Sequence, residues 1–169
     1  MSFKFEKAIP DHAAEIWQIL SDAILRRKAD GSNQWQDGYP NPEVIASDIE
    51  KGYGYVILDG VHVVAYCALM INDEPAYAHL QGQWLSDGNF VVFHRVAVAQ
   101  TYLGQGISKK MLSYIEQFAL EHNIYSIKAD TNFDNAAMLA LFEKTGYKYC
   151  GEVSFRGSSR KAFEKELQP

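Results

Sequence analysis

The sequence of 169 residues is poor in cysteine, in excess positive charge and in long apolar runs. Its two cysteines, Cys67 and Cys150, have no paired metal-ligand spacing, so we expect no metal site. The net charge of −5 argues against a general nucleic-acid binder, because phosphate contacts need a basic face. No segment approaches the ~20 apolar residues that a membrane helix needs, and residues 1–5 form no apolar signal region. We therefore expect a cytoplasmic protein with neither a membrane nor a nucleic-acid partner.

The length and the 47% hydrophobic content predict one domain over residues 1–169. A strand over 90–98, a helix from 107 and a strand over 124–131 form a strand–helix–strand unit, which implies a parallel pair. Residues 76–85 are ambiguous, because Gly82 and the glutamines weaken a strand. The other predicted strands cover 3–9, 53–58, 61–71, 147–155 and 160–167, and the other predicted helices cover 11–28, 42–52 and 135–146.

The most informative stretch joins the apolar strand 90–98 to the helix at Ile107 through a loop containing Gly104 and Gly106. The first turn of a helix presents unpartnered N–H groups and a partial positive charge, and glycine lets a ligand approach them. Together these features predict an anion cradle, most often for phosphate. The dinucleotide fingerprint fails because Lys109 stands where its third glycine belongs, and the ATP loop fails because no lysine follows Gly106. Another kind of nucleotide module stays open as an alternative.

The stretch resembles the acetyl-CoA loop of the GNAT superfamily of N-acyltransferases, whose signature is Gln/Arg-x-x-Gly-x-Gly/Ala. Gly104-Gln105-Gly106 fits this signature, whereas Thr101 replaces the usual leading Gln or Arg. Residues 135–147 are similar to a second segment of the family, Asn-x-x-Ala-x-x-Leu-Tyr-x-x-x-Gly-Phe. The resemblance covers nearly the whole chain. It implies a GNAT-like fold of mixed α/β class, with a central, mixed, mostly antiparallel sheet and helices on both faces.

The resemblance implies acetyl-CoA as the co-substrate. In the family, backbone groups of the strand before the loop pair with the pantetheine arm, and loop N–H groups hold the pyrophosphate. Asn135 would bond to the pantetheine, and residue 142 would lie beside the thioester sulfur. Asn132 falls at the carboxyl end of a strand, where ligands bind in such sheets. The predicted cofactor-binding residues are Val96, Ala97, Val98, Leu103, Gly104, Gln105, Gly106, Ile107, Ser108, Asn132, Asn135 and Phe142.

The implied reaction is direct transfer of an acetyl group, in a ternary complex, to a primary amine of a small molecule or peptide. By family analogy the backbone N–H of Val98 polarises the thioester carbonyl. Strand alternation places His94 on the same side as Val96 and Val98, so His94 is a candidate base, with a hydrogen-bonded structural histidine as the alternative. Phe142 replaces the tyrosine that is proposed in the family to protonate the thiolate. No acid is therefore assigned, and a catalytically silent acyl-CoA binding or sensing domain remains the alternative function.

The acceptor is expected to contact two aromatic residues, Trp35 and Tyr39, in the long polar loop 29–41. The alternative is that these side chains pin the loop onto the core. The loop and the segment 72–89 together predict the acceptor pocket, and their acidic residues favour a cationic acceptor, although surface solvation explains those residues equally well. The resemblance also raises a homodimer as one candidate assembly.

Overall fold

The computed structural model describes residues 2–169, which form two compact units. Unit 1 is made of residues up to 69 and residues 94–114, and unit 2 of residues 70–93 and 115–169. The helices are α1 Ala13–Ala29, α2 Pro42–Glu50, α3 Ile107–Glu121 and α4 Ala136–Thr145. The strands are β1 Phe3–Lys7, β2 Gly54–Asp59, β3 His62–Ile71, β4 Gln81–Gly82, β5 Val91–Val98, β6 Ser126–Thr131, β7 Lys148–Phe155 and β8 Ser158–Glu166. This eight-stranded, mostly antiparallel sheet with helices confirms the predicted fold class.

Unit 1 is built on the antiparallel strands β1, β2 and β3, with Phe3 opposite Asp59 and Gly54 opposite Ala68. Residues 63–70 of β3 are all buried, as expected for a strand that is apolar on both faces. Helix α1 buries one apolar stripe against these strands, because its apolar residues recur at helical spacing. The core of the unit consists of Ala8, Ile16, Ile19, Leu20, Ala23, Trp35, Ile45, Val56, Leu58, Val63, Tyr66 and Ala97.

Unit 2 contains the predicted parallel pair, in which Val91 of β5 lies opposite Ile127 of β6. Strand β6 then pairs antiparallel with β8, and β8 with β7. Helix α4 is capped by Asn135, whose side chain accepts a hydrogen bond from the Met138 amide. It ends at Gly146, which is left-handed at φ +88°. Both ends of this helix were predicted from the sequence.

The structure corrects several of the sequence-based boundaries. A 3-10 turn, Pro10–His12, precedes α1, so the helix begins two residues later than predicted. Strand β6 likewise begins at Ser126 instead of 124. The ambiguous segment 76–85 contains the end of a second 3-10 turn, Pro75–His79, and the short strand β4. Among residues 2–169, no helix combines the length and apolarity needed to cross a bilayer.

Two glycines let β4 and β7 approach each other more closely than residues with side chains could. A Cβ on Gly82 would lie 2.1 Å from the Cys150 carbonyl oxygen, and one on Gly151 would lie 2.2 Å from that of Gln81. Both glycines also have positive φ, at +145° and +141°. The short strand β4 therefore depends on the absence of a side chain at Gly82 and Gly151.

We expect Gly151→Ala to lower the free energy of unfolding by about 2–4 kcal/mol, because a backbone clash adds to the strain of a positive φ. Gly157→Ala is the matched control, since Gly157 also has a positive φ but a Cβ there would meet nothing within 4 Å. That control should lose only about 1 kcal/mol. Urea unfolding of the two variants and the wild type provides the measurement. Equal losses in the two variants would contradict the close approach of β4 and β7.

Candidate functional site

The predicted order of strand, glycine loop and helix is present in unit 1. Strand β5 ends at Val98, a 3-10 turn covers Gln100–Tyr102, and α3 begins at Ile107. Gly104 and Gly106 between them have φ of +77° and +74°, and a Cβ at either would meet nothing within 4 Å. These glycines therefore make an open, left-handed turn that faces solvent.

The amides that follow this turn are the unpartnered donors of a helix start. The α-helical hydrogen bond from the Lys110 N–H to the Gly106 carbonyl, 3.0 Å long, belongs to the first turn of α3. The preceding N–H groups have no intrahelical acceptor, because no turn lies before them. With the helix dipole, they can hold a negatively charged group beside the open glycine turn.

The N-terminal side of the loop is fixed to the rest of unit 1. Tyr102 donates its hydroxyl to Asp59 Oδ2 at 2.6 Å. Arg26 on α1 donates from Nη1 to Gln100 Oε1 at 2.6 Å and from Nη2 to the Val98 carbonyl at 3.2 Å. The glycine turn thus begins from an anchored segment while its own backbone stays exposed.

A buried ion pair involves a residue of β5 that directly precedes the predicted cofactor-binding residues. Arg95 has a left-handed backbone, φ +58°, which is uncommon for a residue with a side chain. Its guanidinium donates to both carboxylate oxygens of Asp48 on α2, at 2.9 and 2.7 Å, and also to the Tyr39 hydroxyl. Tyr66 on β3 donates to the same carboxylate at 2.6 Å. Burial acts to lower the pKa of Arg95, but Tyr39 and Asp48 outweigh it and raise that pKa above its ordinary value, so the guanidinium stays charged.

Arg95 also corrects one step of the sequence analysis. The argument for His94 assumed a regular two-residue alternation through to Val96 and Val98. The left-handed Arg95 interrupts that alternation between His94 and Val96, so alternation alone does not place the three side chains on one side. His94 itself is half-buried in β5, and its role as a base stays a prediction.

The backbone N–H groups at the end of β5 point alternately toward β3 and away from it. The N–H of Ala99 donates to the Val64 carbonyl of β3 at 2.8 Å. Because backbone groups of successive strand residues point to opposite edges, the N–H of Val98 points away from β3. Ala97 contributes its side chain to the core of unit 1. The Val98 N–H can therefore donate to a ligand that lies on the side of β5 away from β3.

The remaining predicted cofactor-binding residues belong to unit 2. Asn132 follows the end of β6, and Asn135 uses its side-chain oxygen to cap α4. Phe142 is fully buried, and its ring centroid lies 4.7 Å from that of Phe163 and 5.1 Å from that of Tyr147. The Tyr147 hydroxyl is buried without a hydrogen-bond partner among residues 2–169, and burial raises the pKa of Tyr147.

The two aromatic residues predicted to contact the acceptor have separate environments. Trp35 is buried in the core of unit 1, and the Arg27 guanidinium lies 3.9 Å from its ring centroid. Tyr39 is half-buried and accepts from Arg95. The burial of Trp35 favours the interpretation that it pins the loop onto the core, and contact of either residue with an acceptor stays a prediction.

Residues 13–147 match the sequence model of the Acetyltransferase (GNAT) family. The chain belongs to that family. Its members are acyltransferases that use acyl-CoA, so this GNAT protein is an acyltransferase. In the described chain, residues 2–169, no group of three or more His, Cys, Asp or Glu side chains is placed to hold a metal ion.

Two relatives agree with this assignment, and a third protein shares the fold. The uncharacterized N-acetyltransferase YesJ of Bacillus subtilis (strain 168) is 28% identical over 165 residues, which cover 95% of this chain and 88% of YesJ. A GNAT acetyltransferase structure from Streptococcus agalactiae 2603 is 30% identical with a TM-score of 0.90, covering 99% of this chain and 96% of that one. A GNAT acetyltransferase from Listeria monocytogenes 4b F2365 is 21% identical with a TM-score of 0.78, covering 98% and 95%, and shows the fold alone.

We expect Asp48→Ala to lower the free energy of unfolding by about 3–5 kcal/mol, because it leaves the buried Arg95 charge without its carboxylate. Tyr66→Phe is the matched control, since it removes one hydrogen bond to the same carboxylate and leaves the ion pair in place. It should cost only about 1 kcal/mol. Urea unfolding at neutral pH measures both, and similar small losses in the two variants would show that the ion pair does not stabilise the site.

Proposed function

We propose that this GNAT protein is an N-acetyltransferase that moves an acetyl group from acetyl-CoA to a primary amine of a small molecule or peptide. Transfer is direct, within a ternary complex of enzyme, acetyl-CoA and acceptor. The observation that carries the proposal is the open turn at Gly104 and Gly106 followed by the unpartnered amides of α3. A cytoplasmic location and a homodimeric assembly stay predictions from the sequence.

The pyrophosphate of the cofactor is assigned to the backbone N–H groups of residues 104–108, because the N–H of Leu103, the first of the predicted residues, already donates to the Gln100 carbonyl at 3.4 Å. The left-handed glycines leave room for it, and the helix dipole favours its charge. Lys109 and Lys110 lie in the first turn of α3, where cations oppose the dipole. A bound diphosphate would offset this repulsion, which supports the same assignment.

The acetyl group is assigned to the end of β5. Backbone groups of Val96–Val98 hold the pantetheine arm, and the Val98 N–H polarises the thioester carbonyl. The neutral amine attacks the carbonyl carbon, the C–S bond breaks, and the CoA thiolate departs with the bonding electrons and then takes up a proton. His94 would remove the proton from the amine, directly or through water. Asn132 and Asn135 stay predicted cofactor contacts, whereas Phe142 is fully buried and exposes no surface to a ligand.

A silent acyl-CoA binding or sensing domain is the second candidate function, and the environment of Phe142 favours it. Phe142 has no proton to give, and it is fully buried, with the ring of Phe163 4.7 Å away between centroids. Release of free CoA thiol, measured with acetyl-CoA and a panel of amines, separates the two candidates. Thiol release that depends on an amine supports the transferase, whereas binding of CoA without release supports the silent domain.

We expect Gly104→Asp to weaken acetyl-CoA binding at least about 100-fold, because a carboxylate near a phosphate costs about 4 kcal/mol at 4 Å and an effective dielectric constant of 20. Gly157→Asp is the matched control, since Gly157 has a similar φ of +75° and equally open surroundings in the β7–β8 turn. Calorimetric titration with acetyl-CoA measures the dissociation constant. Wild-type affinity in Gly104→Asp would remove the loop from the cofactor site.

We expect His94→Ala to lower kcat/KM about 100-fold at neutral pH with an unchanged dissociation constant for acetyl-CoA, as for loss of a general base. His122→Ala, at an exposed residue beyond α3, is the control. A His94→Ala profile that matches the wild type across pH would show that His94 is structural.

A further inference from the structure

Residues 72–90 of unit 2, together with one residue of β6, line a cavity of about 760 Å³. Small-molecule sites typically occupy about 300–1,000 Å³. The ends of the segment are joined, because the Asn72 N–H donates to the Phe90 carbonyl at 3.0 Å and the Phe90 N–H donates to Asn72 Oδ1 at 2.9 Å. Trp84 packs on Tyr77 with ring centroids 5.0 Å apart and donates from Nε1 to its carbonyl at 2.9 Å. Fixed aromatic walls therefore bound the cavity.

The β6 residue is Lys128, a buried cation without a hydrogen-bond acceptor. The residue is only 4% exposed, and its Nζ lies 4.4 Å from the Trp84 ring centroid and 4.2 Å from that of Phe90. No residue among 2–169 accepts a hydrogen bond from this Nζ. An ammonium has three donors, which the two rings do not accept as a carboxylate would, and this Nζ is not among the buried, unpaired side-chain atoms of residues 2–169, so it is open to the cavity that it lines. Burial accordingly lowers the pKa of Lys128.

The carboxylate nearest to Lys128 in the sheet is already occupied. Glu164 lies opposite Lys128 in the β6–β8 ladder and is fully buried. Its Oε1 accepts from the Leu85 N–H at 2.8 Å, and its Oε2 accepts from the Ser126 hydroxyl at 2.6 Å and from the Ser86 hydroxyl. These donors hold the Glu164 charge in place. The three N–H groups of Lys128 remain for a partner that enters the cavity.

The charges around the cavity restrict what that partner can be. Asp73, Glu74 and Asp87 also line it, and Asp73 and Asp87 are exposed. One buried cation suits a single carboxylate, whereas a dianion such as phosphate would be repelled by the three carboxylates. A positive amine on the same ligand would be attracted by them. The aromatic walls offer apolar surface for the body of such a ligand.

We propose that this cavity binds a small zwitterion, of the amino-acid class, whose carboxylate accepts hydrogen bonds from Lys128 and whose ammonium group lies toward Asp73, Glu74 and Asp87. The binding does not require acetyl transfer, so it holds independently of the proposed function. Lys128 supplies affinity for the ligand and takes no part in chemistry.

Calorimetric titration of the full chain with matched pairs tests the proposal. The pairs are L-phenylalanine with phenethylamine, L-leucine with isoamylamine and L-lysine with 1,5-diaminopentane, each differing by the carboxylate alone. At least one amino acid should bind with a dissociation constant below about 1 mM. It should bind about 10- to 100-fold more tightly than its amine, as expected for a charge-assisted hydrogen bond. Lys128→Met should abolish this preference, and Lys128→Arg should retain part of it.

Lys161→Met is the matched control, because Lys161 of β8 also lies over an aromatic ring, 5.3 Å from the Phe133 centroid, but does not line the cavity. It should leave the preference unchanged. If Lys128→Met fails to fold, the Asp87→Asn variant tests the proposal instead. It should weaken amino-acid binding, because the amide has the size of the carboxylate but not its charge. Three binding results would overturn the proposal: each amino acid binds no more tightly than its amine, no pair binds at all, or inorganic phosphate binds more tightly than any amino acid. Two variant results would also overturn it: Lys128→Met keeps the preference for the amino acid, or Asp87→Asn binds the amino acid with unchanged affinity.

Discussion

The ion pair between Arg95 and Asp48 is the interaction on which the site in unit 1 depends. A buried guanidinium must be paired, and this one is met by a carboxylate from α2 that Tyr66 of β3 also holds. The pairing lies where β5 adopts a left-handed backbone, a state that costs about 1–3 kcal/mol and persists only when its surroundings determine it. Helix α2, strand β3 and the Tyr39 loop therefore all contribute to fixing the start of Val96–Val98. The orientation of the Val98 N–H follows from the next residue, whose N–H bonds to the Val64 carbonyl of β3.

Unit 2 contains the buried cation Lys128, and the contrast with Arg95 explains why we assign the two different roles. Arg95 presents a planar set of donors that match a carboxylate, and its partners are all protein groups. Lys128 is a point charge between two rings, and the neighbouring Glu164 is taken by other donors. The ammonium of Lys128 faces a cavity, which is why we propose a ligand for it.

Short sequence patterns predicted most of the fold, because the residues that determine a helix end or a turn lie within a few positions of one another. The Asn135 cap, the Gly146 terminus and the glycine turn before Ile107 are examples of this kind. The left-handed Arg95 could not be predicted, since it depends on Asp48, which is 47 residues away. The same is true of β4, whose two residues form a strand only because Gly82 and Gly151 meet. The burial of Lys128 could not be predicted either, because the residues beside it in the sequence are those of an ordinary strand.

The aromatic cluster around Phe142 bears on how the thiolate leaves. The family pattern has a tyrosine at this position and a phenylalanine five residues later, and here the two residue types are exchanged. The hydroxyl is carried by Tyr147, whose ring centroid lies 5.1 Å from that of Phe142. Burial raises the pKa of Tyr147, so this hydroxyl is a weaker acid than an exposed tyrosine and keeps its proton. A CoA thiol is acidic enough to depart as the thiolate without a side-chain acid. Under the proposed function, rate acceleration would come from polarising the carbonyl at Val98 and from presenting a neutral amine.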